Sequence, residues 1–143
     1  MPYSGKYKIK NVKKYKGNHR NVIYRSLWER KFMIYCDQHP SILQWSSEEI
    51  SVPYISPADK KSHRYFPDFI IKKIDKNGKT KIMMIEIKPF SQVSKPKSSS
   101  RNPKVLKENI RWQINNAKWR AADKFCKKHG WEFKILTEKE LNI

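Results

Sequence analysis

Two acidic residues lie inside apolar stretches of this sequence, where an ionised carboxylate is costly. Asp68 falls in YFPDFII and Glu86 in IMMIEIK, and Lys88 follows two positions after Glu86. On a strand, Glu86 and Lys88 would share one face. Two neighbouring carboxylates repel each other and lose hydration, so the arrangement is unfavourable unless they share a cation. The sequence does not fix the strand register that would bring Asp68 to Glu86, and their contact is therefore a hypothesis.

A divalent ion held by Asp68 and Glu86 would give these residues a hydrolytic chemistry. Magnesium prefers carboxylate oxygens and keeps several waters, and manganese suits the same ligands. Such an ion makes water a better nucleophile and neutralises charge that grows on a phosphate. Lys88 can orient the water, help deprotonate it and stabilise the same charge. The residues therefore predict phosphodiester hydrolysis. The alternative is structural: Glu86 and Lys88 form an exposed polar edge, and Asp68 starts a turn.

The charge of the chain favours a nucleic-acid partner. Its 143 residues include 32 Lys and Arg against 13 Asp and Glu, a formal net charge of +19. A field of this sign attracts polyanions before any specific contact forms. A merely soluble basic protein and a protein bound to an anionic membrane surface are the alternatives.

Basic residues in three places are candidates for contacts with DNA phosphates. They lie in an N-terminal arm of residues 1–20, in a Ser, Lys and Pro-rich loop of about residues 91–104, and on the helix that follows this loop. The candidates are Lys6, Lys8, Lys10, Lys13, Lys14, Lys16, Arg20, Lys95, Lys97, Arg101, Lys104 and Lys118. Tyrosines interleave with the basic residues of the arm, which suits base stacking; the alternative is a solvated tail.

The elements that must position these residues follow from periodicity. Apolar spacing predicts one helix over Ser26–His39 and a long one over Pro103–His129, and Gly130 ends the second. The Asn-Gly dipeptide between RYFPDFIIKKI and KTKIMMIEIK predicts a hairpin, while ILQW, ISVPYI and WEFKIL read as further strands. The core face of the long helix is predicted to be Leu106, Ile110, Ile114, Ala117, Ala121 and Phe125. The order predicts an α/β or α+β fold, with a mixed sheet flanked by helices in one domain of residues 21–143.

Neither membrane insertion nor a disulfide framework is indicated. No apolar run approaches the roughly 20 residues that span a bilayer, and MPYSGKYKIK lacks the apolar region of a signal peptide. Cys36 and Cys126 are far apart and each lies in a helical pattern, so we expect two reduced core thiols. We expect the protein to act in a cytoplasm or in an assembled particle, and not at a membrane.

Several sequence blocks resemble known nucleases. YFPDF followed by IEIKP resembles the Asp and Glu-x-Lys pattern of the PD-(D/E)xK superfamily, and YRSLWE ahead of them resembles the helix that supplies a further acid. The ordered blocks YSGKYKIKN, YRSLWERKF, SSEEISVPY, RYFPDF, IEIKP, NNAKWRAA and ILTE resemble the head-completion nucleases of T-even-like phages. TnsA-like transposon endonucleases share the three-part pattern more distantly.

The resemblance implies a restriction-endonuclease-like core and a Mg²⁺-dependent DNA endonuclease, for which Mn²⁺ can substitute. Asp68, Glu86 and Glu29 would be metal ligands and Lys88 the catalytic lysine, so that these four residues form the catalytic set. It further implies a role in phage head completion after DNA packaging, with the head or portal complex as partner, in the host cytoplasm. A non-enzymatic basic protein that seals the portal, and a transposition or repair endonuclease with the same site, are the alternatives.

Two acidic residues carry open alternatives. Glu29 stands three positions after Ser26, in the register of a capping box, so it could serve the helix start instead of an acidic cluster. Glu48 could supply a second metal position or belong to a solvated turn.

Overall fold

The computed structural model describes residues 4–96 and 102–141, so the predicted DNA contacts of Lys97 and Arg101 lie outside the described residues. The strands are β1 (Gly5–Lys6), β2 (Ile23–Tyr24), β3 (Ile42–Ser47), β4 (Val52–Ile55), β5 (Ser62–Tyr65), β6 (Phe69–Ile74), β7 (Thr80–Ile87) and β8 (Glu132–Leu136). The helices are α1 (Leu27–Gln38), α2 (Pro103–His129) and α3 (Glu138–Leu141).

The central sheet has the strand order β3-β6-β7-β8. β6 pairs antiparallel with both β3 and β7, whereas β7 pairs parallel with β8, so the predicted mixed sheet is confirmed. The β6–β7 turn contains Gly78 at a φ of +79°, and the Asp75 carboxylate accepts hydrogen bonds from the backbone N–H groups of Asn77 and Lys79. This turn chemistry explains why the Asn-Gly dipeptide predicted the hairpin correctly.

Helices cover the two faces of this sheet. Phe32 and Met33 of α1 pack with Phe69 and Ile85 of the sheet. On the opposite face, α2 packs a second apolar cluster around Met84. The mixed sheet flanked by helices is therefore confirmed, and Ile85 and Met84 show that successive β7 residues point to opposite faces.

The buried face of α2 differs from the prediction. Its buried residues are Asn115, Trp119, Ala122 and Cys126, whereas Leu106 and Ile110 of the predicted stripe are 48% and 49% exposed. Two stripes with helical spacing, one residue apart, run along this helix, and spacing alone does not decide which one faces the sheet. The stripe that contains the bulky Trp119 faces the sheet, and Ala121 and Phe125 of the predicted stripe are half-buried against the same cluster, so the prediction is correct for these two residues.

The predicted run RYFPDFIIKKI is divided between two sheets. β5 pairs antiparallel with β4 in a separate two-stranded sheet, with Tyr65 opposite Val52, and β6 begins only at Phe69. Pro67 lies in the break, where its lack of a backbone N–H interrupts strand pairing. Asp68 is consequently the last residue before β6.

The N-terminal segment packs against the domain instead of extending from it. Tyr7, Ile9 and Tyr15 are buried in the α1 core. The fully buried carboxylate of Asp37 accepts hydrogen bonds from the Tyr7 hydroxyl at 2.9 Å and from the backbone N–H of Lys10 at 2.8 Å. The expected boundary at residue 20 therefore falls within packed structure, and the stacking role expected for the tyrosines is wrong for Tyr7 and Tyr15.

Both cysteines agree with the sequence prediction. Cys36 and Cys126 are buried free thiols on α1 and α2, and burial raises the pKa of each. Across the described ranges, no helix combines the length and the apolar character needed to cross a bilayer.

Replacing Asp37 by alanine should strongly destabilise the fold. The Asp37→Ala change leaves the Tyr7 hydroxyl and two backbone N–H groups without their buried acceptor, a loss of about 3 kcal/mol or more in unfolding free energy. Urea denaturation measures it. Asp123→Ala is the matched control, because Asp123 only forms an exposed ion pair with Lys127 at 3.0 Å and should cost less than about 1 kcal/mol. Equal effects of the two changes would contradict the assigned role of Asp37.

Candidate active site

The hairpin register brings Asp68 to Glu86. Phe69 is paired with Ile85, so the preceding Asp68 stands opposite Glu86 at the end of the hairpin. One oxygen of Asp68, Oδ2, accepts a hydrogen bond from the backbone N–H of Ile87 at 2.8 Å. Glu86 is 6% exposed, and Asp68 is partly buried. The contact that the sequence left open is therefore present.

Burial and mutual repulsion make this carboxylate pair energetically unfavourable. Burial, followed by the negative charge of Glu86, raises the pKa of Asp68 well above its usual range. Burial likewise raises the pKa of Glu86, while the Lys88 ammonium opposes that shift. Among the described residues, Glu86 Oε1 and the Tyr65 hydroxyl are buried and make no hydrogen bond of ordinary geometry, although Tyr65 is close enough to Glu86 to lower the pKa of that carboxyl. Such an oxygen beside a second carboxylate is costly unless it binds a cation.

Lys88 lies directly beside this pair. Its Nζ is 3.9 Å from Glu86 Oε2, and its side chain is 29% exposed. The backbone N–H of Lys88 donates to the carbonyl of Leu136 at 3.0 Å, which extends the β7–β8 pairing beyond the end of β7. The backbone of Lys88 is thus held by the sheet, and its side chain is partly exposed to solvent, where a substrate can reach the ammonium.

Glu29 approaches the pair from the start of α1. Burial, followed by the negative charge of Asp68, raises the pKa of Glu29 to about 7, although hydrogen bonding to Ser26 opposes the shift. The Ser26 hydroxyl donates to Glu29 Oε2 and accepts from the backbone N–H of Glu29, both at 3.2 Å. Glu29 therefore belongs to a helix cap and also lies in the field of Asp68.

The described residues do not contain the expected metal-binding group of three carboxylates. Within residues 4–96 and 102–141, no group of three or more His, Cys, Asp or Glu side chains has the geometry to hold a metal ion. The hydrogen bond from the Ser26 hydroxyl holds the Glu29 carboxylate at the helix start. The structure thus supports Asp68 and Glu86 as a pair, with Glu29 as an acidic neighbour.

Glu48 and Arg25 form an ion pair near Asp68, and the sequence did not predict this pair. The Arg25 guanidinium donates to Glu48 Oε1, and the backbone N–H of Glu48 donates to the carbonyl of Asp68 at 3.2 Å. The charges of Glu48, Glu29 and Asp68 all raise the pKa of Arg25. Glu48 lies in the bend after β3, as the turn alternative expected, but its carboxylate is paired with Arg25. No local sequence signal links positions 25 and 48.

Tyr65 and Lys118 lie on the other side of the pair. Burial and then the charge of Glu86 raise the pKa of the Tyr65 hydroxyl, which places it within electrostatic range of that carboxylate. Lys118 reaches across from α2, with its Nζ 5.8 Å from the centroid of the Tyr65 ring. Tyr65 was not expected from the sequence, because only the pairing of β5 with β4 brings it there.

The other predicted DNA contacts that the structure describes are mostly exposed. The exposed ones are Lys6, Lys8, Lys10, Lys13, Lys16, Arg20, Lys95 and Lys104. Lys14 differs, because its ammonium donates to the carbonyls of Asp37 at 3.1 Å and His39 at 3.0 Å. These bonds satisfy carbonyls at the C-terminal end of α1, so the Lys14 ammonium is already engaged.

The residues present fit a hard divalent cation. Asp68 and Glu86 supply carboxylate oxygens, the ligand type that magnesium and manganese prefer. Glu86 Oε1 is buried and makes no hydrogen bond of ordinary geometry among the described residues, so this oxygen is available to a ligand. An ion that takes its remaining ligands from water needs no third carboxylate.

The fold and site together define a class of protein. A mixed sheet whose hairpin presents an aspartate opposite a Glu-x-Lys sequence is the arrangement of PD-(D/E)xK nucleases, which agrees with the resemblance seen in the sequence. Residues 39–138 match the family described as TnsA-like endonuclease N terminal, and the chain therefore belongs to this endonuclease family. The chain is also 37% identical over 143 residues to the Head completion nuclease of Enterobacteria phage T4, an alignment that covers 96% of this chain and 93% of that protein.

Neutralising Asp68 should stabilise the metal-free protein. The raised pKa means that the folded state disfavours the ionised carboxylate. Its cost is fully present above the folded-state pKa and disappears as the pH falls towards the unfolded-state value near 4. Asp68→Asn should therefore raise the unfolding free energy in chelator at pH 8 by about 1 to 3 kcal/mol, with a smaller gain at pH 5.

Thermal unfolding in chelator and in excess Ca²⁺ measures both parts of this prediction. Calcium should raise the melting temperature of the wild type and leave that of Asp68→Asn unchanged. Asp123→Asn, an exposed change on α2, is the control and should behave as wild type in both buffers. Destabilisation of metal-free Asp68→Asn at pH 8 would contradict the electrostatic account of the pair.

Proposed function

We propose that this protein is a Mg²⁺-dependent DNA endonuclease that acts in phage head completion after DNA packaging. The observation that carries the proposal is the Asp68 and Glu86 pair with the Lys88 ammonium 3.9 Å from Glu86. A basic protein that only binds DNA gains nothing from buried carboxylates placed beside phosphates. A bound cation would relieve the repulsion of the ionised pair, which favours the enzyme over a non-enzymatic portal seal.

The residues of the site divide the work of phosphodiester hydrolysis. Asp68 and Glu86 would hold the divalent ion, which supplies positive charge opposite the phosphate and favours the ionisation of water. The Lys88 ammonium donates a hydrogen bond to the phosphate or to the attacking water, and its charge offsets the negative charge that grows in the transition state. Glu29 adds negative charge beside Asp68 and orients hydrated groups there by accepting their hydrogen bonds.

The assignment to head completion is supported by the relative named Head completion nuclease. Its 37% identity extends over 96% of this chain. The partners in this proposal are packaged DNA and the phage head or portal complex, and the reaction takes place in the host cytoplasm. A net charge of +19 would draw the protein to DNA that emerges from a head.

The family match keeps a transposition or repair endonuclease as the second candidate. TnsA-like endonucleases are represented over residues 39–138, whereas the similarity to the head completion nuclease extends across nearly the whole chain. Both candidates use the same chemistry and differ in their partner. Copurification with filled or unfilled heads separates them, because a transposition endonuclease has no reason to bind heads.

Replacing Lys88 by alanine should remove cleavage and preserve DNA binding. One of 32 basic residues is lost, so affinity for DNA should change less than about threefold. The chemical step should slow by about a hundredfold or more, because the ammonium beside Glu86 no longer stabilises the transition state. Single-turnover cleavage of supercoiled plasmid in Mg²⁺ measures the rate, and a mobility-shift assay in Ca²⁺ measures binding.

Lys76→Ala is the matched control for this change. Lys76 lies in the exposed turn at the opposite end of the same hairpin, so its removal costs the same charge without touching the site. It should cleave at the wild-type rate. Wild-type cleavage by Lys88→Ala would return the Glu86 and Lys88 pair to a purely structural role.

Glu29→Gln should separate capping from catalysis. Glutamine can make the capping hydrogen bonds but supplies no charge. Because burial and the charge of Asp68 disfavour ionised Glu29, we expect the melting temperature in chelator at pH 8 to be no lower than that of the wild type. Cleavage should slow at least about tenfold, or about 1.4 kcal/mol in the barrier. Glu140→Gln is a close control, since Glu140 accepts from the Thr137 hydroxyl at 2.6 Å in an equivalent cap of α3. If Glu29→Gln and Glu140→Gln cleave equally fast, Glu29 serves only the helix.

A further inference from the structure

Lys118 holds an unusual position for a lysine. It projects from the middle of α2, is half-buried, and has its Nζ 5.9 Å from the Tyr54 ring centroid and 5.8 Å from that of Tyr65. Among the described residues its ammonium forms no ion pair and no hydrogen bond. The aromatic rings hold the cation in place by cation–π attraction and satisfy none of its three donors.

The Lys118 ammonium, held 5.8 Å from the Tyr65 ring centroid, lies in the electrostatic field of Lys88 and Glu86. Burial lowers the pKa of Lys118, the positive charge of Lys88 lowers it further, and the charge of Glu86 opposes both effects. Glu86 is engaged by Lys88, whose Nζ is 3.9 Å away. A second cation beside the first is unfavourable in the free protein, and an anion bound between them would relieve the repulsion.

We propose that Lys118 binds a non-bridging oxygen of the DNA phosphate at the active site, as a second substrate-binding cation beside Lys88. The inference rests on the proposed function, since the anion is the phosphodiester that is cut. The three parts of the fold that meet here support it: the residue just after β7 is Lys88, β5 contributes Tyr65, and α2 contributes Lys118. The Tyr54 and Tyr65 rings fix the Lys118 side chain before DNA arrives, so little conformational entropy is lost on binding.

This role differs from that of the exposed lysines. An exposed lysine contributes non-specific affinity and is replaceable by its many neighbours. Lys118 would instead contact the phosphate on which charge grows, and its removal would slow the chemical step more than it weakens binding. A purely structural Lys118, packed on two tyrosines, would affect folding stability and neither of these quantities.

The test compares Lys118→Gln, Lys118→Arg and Lys128→Gln in single-turnover plasmid cleavage, with DNA binding measured in Ca²⁺. Lys128 lies exposed near the end of the same helix and controls for the loss of one charge. We expect Lys118→Gln to cleave at least about tenfold more slowly while its Kd changes less than about threefold. Lys118→Arg should recover part of the rate, and Lys128→Gln should match the wild type.

A measurement that needs no cleavage tests the contact itself. Lysine side-chain NMR of the ¹⁵N-labelled protein in chelator follows the Lys118 ammonium signal, which is assigned by its disappearance in Lys118→Arg. Titration with a short DNA duplex should shift this signal and slow its proton exchange with water. The Lys128 signal provides the control for non-specific binding and should move less.

The outcomes separate the role of Lys118 from the proposed nuclease function. Wild-type cleavage by Lys118→Gln, or a Lys118 signal that DNA leaves unmoved, would overturn the assignment of Lys118 even if Lys88→Ala is inactive and the nuclease function stands. If no variant and no wild-type protein cleaves DNA in Mg²⁺, the proposed function fails, and the NMR titration still decides whether Lys118 contacts a phosphate.

Discussion

The structure depends on the cost of holding two carboxylates together at one end of a hairpin. Asp68 is placed by the break at Pro67, which separates β5 from β6. β6 begins at Phe69, the residue directly after Asp68. Glu86 is placed by the β6–β7 register, one position beyond the pair of Phe69 and Ile85. A protein that only needed a stable hairpin would have apolar or neutral residues there. A bound cation would relieve the repulsion that this pair retains, and carboxylates perturbed in this way cluster at functional sites.

The rest of the fold supplies the surroundings of that pair. α1 brings Glu29 through the cap at Ser26, and α2 brings Lys118 through a helix buried at Trp119. The N-terminal segment is tied to the end of α1 by Asp37, so it belongs to the same packed unit as the helix that carries Glu29. Local unfolding of this segment would therefore disturb the position of α1, and with it Glu29, although the segment supplies no catalytic residue.

The sequence was most informative where local chemistry decides structure. The cap at Ser26, the Asn-Gly turn and Gly130 marked the ends of elements, because backbone conformation at those positions depends on a few neighbouring side chains. The alternation along β7 correctly placed Glu86 and Lys88 together.

Features set by tertiary packing were missed. In the sequence, Tyr7 and Tyr15 resemble residues of a basic tail. In the fold, Tyr7 donates a hydrogen bond to Asp37 and Tyr15 packs against Trp45. The choice between two equally spaced stripes on α2 is made by the sheet and not by the helix. Arg25 meets Glu48, and Tyr65 approaches Glu86, across elements that have no shared local signal. Glu29, Glu86 and Lys88 of the predicted site thus lie on or directly beside well-predicted elements, and the neighbours that were missed lie where separate elements meet.

The most direct test of this account is the rate of plasmid cleavage by the wild-type protein as free Mg²⁺ is raised from excess chelator. The account predicts no cleavage in chelator, a rate that rises and saturates with Mg²⁺ or Mn²⁺, and little turnover in Ca²⁺, which has looser coordination geometry. Cleavage at the full rate in excess chelator would contradict the claim that the Asp68 and Glu86 pair exists to hold a divalent ion.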